Sequence, residues 1–202
     1  AIVDAQAVGE AVRRAVKRAG ARSRECAVAV SGDAAITKVI QMPRNLRANE
    51  LESQVEMQAD QYIPFPMEEV SYDFEVIGPS EKDPEMLDVL LVATRSENVE
   101  QRQAAVQAAG LTARIVDVEA FALENACRLL THQMPDGGME RNIAVIDFGA
   151  SSTTFSVLRD TKVAYTRDFS FGGQQLTEEI MRTYGLSMEE AGRAKKEGGL
   201  PA

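Results

Sequence analysis

Apolar positions along the chain recur with two periods, one helical and one alternating. Residues 4–19 place Val8, Val12, Ala15, Val16 and Ala19 on one side and Arg13, Arg14, Lys17 and Arg18 on the other, the spacing of an amphipathic helix that Gly20 ends. Two strands, 26–30 and 36–42, flank the turn Ser31-Gly32-Asp33, and Pro43 closes the second. Residues 47–62 return to helical spacing. Leu51, Val55, Ala59 and Tyr62 fall in register, and Glu50, Glu52, Glu56 and Asp60 make an acidic opposite face. Pro64-Phe65-Pro66 then excludes helix. Tyr72, Phe74 and Val76 alternate in a strand over 70–77, and a second strand spans 86–94 after the polar linker 78–85. Residues 35–95 therefore spell strand, helix, strand, strand, a small α+β unit whose last two strands pair antiparallel.

Ser96 is placed to cap a helix over 97–109, which Gly110 ends. A strand over 112–116 leads into a helix over 118–131, and Met134-Pro135-Asp136-Gly137-Gly138 reads as a surface loop. The apolar run 142–146 ends in Asp147-Phe148-Gly149-Ala150-Ser151-Ser152, and Phe155 and Val157 resume the alternation. This is a β-hairpin with a tight turn over 147–152. A third strand, 162–168, runs into Phe171-Gly172-Gly173, which opens a helix to Tyr184. Ser187 and Glu190 form a capping box for the last helix.

The composition narrows the function classes. The 202 residues suffice for one substantial domain or two small ones, and 45% apolar content supports a packed core. A net charge of −9, with no basic stripe along the whole chain, argues against wrapping nucleic acid. The basic side of the first helix could meet anionic lipid or be a solvated face. No apolar run approaches membrane-spanning length. Cys26 and Cys127 lack metal-ligand spacing and read as free thiols in a reducing compartment. His132 is the only histidine and reads as a surface residue near a helix end, which leaves little room for a His-dependent triad or a multi-His metal site. The chain starts at Ala1-Ile2-Val3 without Met and stops at Gly198-Gly199-Leu200-Pro201-Ala202 directly after a helix, so a fragment of a longer protein is expected.

The turn at Asp147 is the first candidate for chemistry. Exposed backbone N–H groups and the hydroxyls of Ser151 and Ser152 make an anion cradle suited to phosphate, with Gly149 allowing close approach. An aspartate at a strand end can hold hydrated Mg²⁺. An ordinary hairpin turn uses the same residue types. Gly172-Gly173 before a helix is the second candidate, because free N–H groups and the dipole favour an anion at a helix N-terminus. Lys195, in Ala191-Gly192-Arg193-Ala194-Lys195, is the third.

In this order, the Asp147 turn, then Gly172-Gly173-Gln174-Gln175-Leu176-Thr177, then Ala191-x-x-Ala194-Lys195, the elements resemble the second phosphate motif, the glycine element and the adenosine-side helix of actin-like ATPases. FtsA and MreB are nearest in style, and residues 35–95 resemble the small subdomain of FtsA. The run Met57-Gln58-Ala59-Asp60-Gln61-Tyr62-Ile63-Pro64-Phe65-Pro66-Met67-Glu68-Glu69-Val70, with Val116-Asp117-Val118-Glu119-Ala120-Phe121-Ala122, is similar to the PilM family of type IV pilus assembly.

The resemblance implies an α/β, actin-like (ribonuclease-H-like) fold with an inserted strand-helix-strand-strand subdomain, incomplete at both ends. Residues 1–34 would belong to the core, 35–95 to the insertion, 96–140 to the return into the core and 141–202 to the start of the second core subdomain. It also implies ATP and Mg²⁺ as cofactors of the intact protein, held by Asp147, Gly149, Ala150, Ser151, Ser152, Gly172, Gly173 and Lys195, with Asp147 on Mg²⁺ through water. Nothing in this chain supplies the superfamily's first phosphate motif or the glycine-rich adenosine motif expected near the C-terminus, and Gly192 stands where many relatives have a nucleotide-contacting Glu. Only part of a nucleotide site is therefore expected. The implied role is a cytoplasmic scaffold, peripheral to the inner membrane. It would hold the cytoplasmic N-terminal peptide of PilN and join other platform proteins. Phe65 and Tyr62 are the candidate partner contacts, and ATPase activity would be weak at most. A sugar-kinase-like phosphotransferase and an adaptor with vestigial nucleotide motifs are the competing readings.

Overall fold

Asp4 starts the first helix, α1 (Ala5–Ala19), by accepting the Ala7 N–H on its carboxylate at 2.9 Å, and Gly20 ends it in the left-handed conformation at φ 66°. The following elements are β1 (Glu25–Val30), β2 (Ala35–Pro43), α2 (Ala48–Tyr62), β3 (Val70–Pro79), β4 (Met86–Arg95), α3 (Ser96–Ala108), β5 (Thr112–Val118) and α4 (Glu119–Leu129). Then come β6 (Asn142–Phe148), β7 (Thr153–Arg159), β8 (Lys162–Phe169), α5 (Gly173–Tyr184) and α6 (Met188–Glu197). This computed structural model describes residues 2–198, so the chain's expected cut ends, Ala1 and 199–202, lie outside the described residues. The chain divides into two compact units, 1–122 and 123–202, with the break inside α4. No described helix is long and apolar enough to cross a membrane.

In the first unit β1 and β5 pair in parallel, while β2, β4 and β3 form a separate antiparallel sheet in that order. Alternation decides which face of this second sheet is buried. Val89, Leu91 and Ala93 of β4 and Ile40 and Met42 of β2 point to one side, where they meet Val55 and Ala59 of α2. Leu51 packs at the edge of this core. Tyr62, expected in register with it, is instead 43% exposed, and Ile63 fills the position four residues after Ala59. Burial beside α2 pushes the Tyr72 phenol above its ordinary pKa, and the Glu56 and Glu52 carboxylates add to the shift.

The β2-β4-β3 sheet meets β1 and β5 through a second apolar cluster. Val30, Val118 and Ala120 pack there with Ala35, Val92, Val116 and Phe121. β4 runs into α3 without a loop. Thr94 donates its hydroxyl to the Ala34 carbonyl at 2.7 Å and accepts the Asn98 amide at 3.1 Å, tying both ends of the segment to α3. Ser96 does not cap α3 as expected. It is the first helical residue, and its hydroxyl pairs with that of Ser71 at 3.0 Å, a tertiary partner that replaces the local one.

α1 packs on α3 in a way its apolar spacing misstates. Val8 is 36% exposed and Ala15 and Ala19 face solvent, whereas Gly9 is buried and Val12 and Val16 are half-buried. A Cβ at position 9 would stand 2.6 Å from the Ala108 Cβ and 2.8 Å from the Ala105 carbonyl oxygen. The missing side chain sets the contact, which a hydrophobicity pattern does not register.

In the second unit β6, β7 and β8 form an antiparallel meander, and α5 and α6 pack on each other. Leu158 and Ser156 are fully buried on one face of the central strand. The expected loop 134–138 becomes a short helical turn with Asp136 and Gly137 at positive φ, and Gly138 is buried against Ile143 and Thr161.

Candidate functional site

The hairpin turn forms as its sequence dictates. Phe148 pairs with Thr153, Asp147 with Thr154, and the Gly149 N–H closes the turn on the Ser152 carbonyl at 2.9 Å. A Cβ on Gly149 would lie 2.8 Å from that same oxygen, so the turn cannot close this tightly around a side chain.

The glycine element docks directly on this turn. The Gly173 N–H donates to the Gly149 carbonyl at 3.0 Å and the Gln174 N–H to the Ala150 carbonyl at 2.8 Å. These are amides of the first turn of α5, two of the donors that a helix leaves unpaired and that an anion was expected to meet. In this structure the turn's own carbonyls take them. Gln175 reaches back to accept the Gly172 N–H at 2.9 Å. Thr153 donates its hydroxyl to the Phe171 carbonyl at 2.7 Å. A Cβ at position 172 would stand 2.6 Å from the Ala150 carbonyl oxygen and 2.8 Å from that of Gly149. The glycines permit backbone to meet backbone here, rather than backbone to meet ligand.

Lys195 joins the same assembly from α6. Its ammonium donates to the Gly173 carbonyl at 2.7 Å and to the Thr177 hydroxyl at 2.8 Å, and Thr177 donates in turn to Gly173 at 2.9 Å. A fixed positive charge thus stands beside the positive end of α5, an arrangement that favours an anion nearby. α6 is held at its start by the Ser187–Glu190 capping box. Hydrogen bonds from the Ser187 hydroxyl and backbone hold the Glu190 carboxyl below its usual range.

Of the expected nucleotide residues, the structure brings together Gly149, Ala150, Gly172, Gly173 and Lys195 by direct contact, with Ser151 and Ser152 exposed at the tip of the turn. Asp147, next to last in β6, is exposed and forms no ion pair among the described residues. Sequence reading missed Asp168. It follows Asp147 and Thr154 in one row across the three strands, and it accepts the Thr154 hydroxyl at 2.5 Å. The signal was the strand register, which places every second residue of neighbouring strands side by side. No cluster of three or more metal-ligand residues occurs among the described residues. The donor set, one ammonium with two small hydroxyls and a carboxylate beside them, fits the phosphate end of a Mg-nucleotide. Nothing in it recognises a base.

The partner candidates lie in the first unit. Phe65 is 36% exposed between its prolines, and the Arg95 guanidinium lies over its ring at 5.5 Å while also meeting Glu69 at 3.4 Å.

The family described as type IV pilus assembly protein PilM matches residues 1–202. The chain belongs to the PilM family. The PilM of a solved PilM-PilN type IV pilus biogenesis complex is 29% identical at a TM-score of 0.74, over 96% of this chain and 57% of that one. The chain therefore spans little more than half the length of that PilM. The mixed α/β class expected from the sequence is the one the structure shows. Fainter likenesses extend to the ethanolamine utilization protein EutJ from Carboxydothermus hydrogenoformans, with 24% identity over 50% of this chain and 33% of that one and a TM-score of 0.38. They extend also to MreB5 of Spiroplasma citri bound to ADP, with 10% identity over 96% and 41% and a TM-score of 0.43.

Proposed function

We propose that this PilM-family chain is the larger part of an ATP-binding scaffold that holds the N-terminal cytoplasmic segment of PilN at the inner-membrane platform of the pilus. The observation that carries the nucleotide half is the convergence of the Asp147 turn, Gly172-Gly173 and Lys195 in one hydrogen-bonded assembly. Ser151, Ser152 and the remaining N–H of Lys195 would meet phosphate oxygens, and Asp147 would orient hydrated Mg²⁺. Residues 35–95 would act as an inserted subdomain between the core segments 1–34 and 96–140, with 141–202 beginning the second core half. The protein would work in the cytoplasm and reach the membrane through its partners. No residue of the assembly stands out as a general base, so binding rather than turnover is the role put forward.

In the intact protein, Asp147→Ala should weaken Mg-ATP binding by roughly 10-fold, the scale of losing one charge-assisted contact. Titration of a fluorescent ATP analogue measures it, and an unchanged affinity would remove Asp147 from the site. The 202-residue chain alone should bind little nucleotide.

The PilN half rests on the family and on the structure solved for its relative with PilN. An extended peptide would lie in the groove between the insertion and the core, gripped by apolar contacts and strand-edge hydrogen bonds, with Tyr62 and Phe65 on its wall. Phe65→Ala should reduce the affinity for a PilN N-terminal peptide several-fold and leave the melting temperature nearly unchanged, since the ring is exposed. A large drop in melting temperature with intact peptide affinity would place Phe65 in the core instead.

A further inference from the structure

The densest charge of one sign on the chain has no role in this scheme. Between positions 11 and 24 stand Arg13, Arg14, Lys17, Arg18, Arg22 and Arg24, with no Asp or Glu among them. With these six set aside, the rest of a chain of net charge −9 carries −15. All six are exposed. Gly20 turns the chain sharply at the end of α1, so Arg22 and Arg24 follow close on Lys17 and Arg18. Arg13 is engaged within the fold, donating to the Ala108 carbonyl at the end of α3. None of the six forms an ion pair among the described residues, whereas every arginine that does pair lies at position 95 or beyond. Neighbouring like charges repel, and this cluster keeps six cations together with only Glu10, one turn before Arg14, and Glu25, already paired with Arg114 at 2.7 Å, at its two ends.

We propose that this corner of the first unit is an electrostatic docking surface for an anionic bilayer, with Arg14, Lys17, Arg18 and Arg22 meeting lipid phosphates directly. This adds a membrane contact of the chain's own to the one made through partners. Three features favour a bilayer over other anionic surfaces. Between the cations α1 exposes only small residues, Ala11, Ala15 and Ala19, while Val12 and Val16 turn toward α3. A protein partner would need an apolar centre to anchor, and adsorption to charged headgroups needs none. The acidic face of α2 in a second copy (Glu50, Glu52, Glu56, Asp60) offers only exposed ion pairs, which hold two proteins together weakly. Single-stranded nucleic acid is gripped by stacking on aromatic rings, and residues 1–24 contain none. The strongly acidic remainder would be repelled by the same membrane, so approach through this corner alone fixes the orientation.

The test is co-sedimentation of the chain with phosphatidylcholine vesicles, with and without phosphatidylglycerol, at low and high salt. Binding should require phosphatidylglycerol and vanish at high salt. The variant carrying Arg14→Gln, Lys17→Gln, Arg18→Gln and Arg22→Gln keeps good helix formers and spares Arg13. It should bind more than roughly 10-fold more weakly, given the contribution of each cation near an anionic surface. A second variant, Glu50→Gln, Glu52→Gln, Glu56→Gln and Asp60→Asn, should bind vesicles at least as well as the parent. Should the first variant fail to fold, the salt and lipid dependence of the parent still decides the matter. Failure to prefer phosphatidylglycerol overturns the proposal, as does undiminished binding by the folded first variant. Salt-sensitive self-association abolished by the second variant, without vesicle binding, assigns the corner to a second copy and also overturns it. Tighter binding to single-stranded RNA than to vesicles does the same in favour of nucleic acid.

Discussion

Gly172→Val should destabilise the 123–202 unit by about 3 kcal/mol or more, at the upper end of what overpacking costs. The first carbon of the new side chain would stand 2.6 Å from the Ala150 oxygen and 2.7 Å from its carbonyl carbon. Both are backbone atoms of a closed turn, so neither can swing aside. The strain is relieved only if α5 retreats. Retreat breaks the Gly173 and Gln174 hydrogen bonds to the turn and the Thr153 bond to Phe171 together. Urea denaturation followed by circular dichroism reads the loss, and amide exchange at Gly173 and Gln174 should accelerate with it. Gly173→Ala is the informative control. Its Cβ would come 3.3 Å from the Lys195 Nζ, the far end of a flexible side chain, and alanine favours helix. That variant should stay within about 1 kcal/mol of the parent. Equal damage from both would show that the contact between turn and helix does not set stability here.

Gly9→Val should cost the first unit about 3 kcal/mol, by the same mechanism between two helices. The site is closed on one side by the Ala108 side chain at 2.6 Å and on another by the Ala105 carbonyl at 2.8 Å. α1 and α3 would have to separate along their length, exposing Val12, Val16 and Val106. Valine also suits a helix poorly, but that accounts for well under 1 kcal/mol. Most of the loss must therefore come from packing, and thermal unfolding of Gly9→Ala should already show a good part of it. A Gly9→Ala variant more stable than the parent, as helix propensity alone would make it, would overturn the close-packed reading.

These two glycines also show where a sequence stops being readable. The order of helices and strands follows from period and punctuation. The strand ends differ from expectation by one or two residues, and the core beneath α2 at Val55 and Ala59 is visible in the four-residue spacing. The positions that escaped are those where tertiary contact overrides a local rule. Ser96 has the chemistry of a cap but finds Ser71 across the fold, and Gly9 interrupts an apolar face because another helix passes there. The phosphate candidates were legible as residues. What they touch was not, because carbonyls bonding to helix amides leave no trace in residue type. Asp168 was hidden for a related reason, since it joins Asp147 only through the register of a strand between them.

The second sheet of the first unit has one further consequence. It enters at Ala35 and leaves at Thr94, and these two residues are direct partners across β2 and β4. A segment whose ends meet side by side can be gained, lost or exchanged between lineages in one genetic event, because the parent fold needs only a tight connection to heal the junction. The segment can accordingly be exchanged for a short connection with the least displacement of the elements on either side of it. A chain in which residues 35–94 are replaced by a short glycine-containing turn gives that idea its physical form.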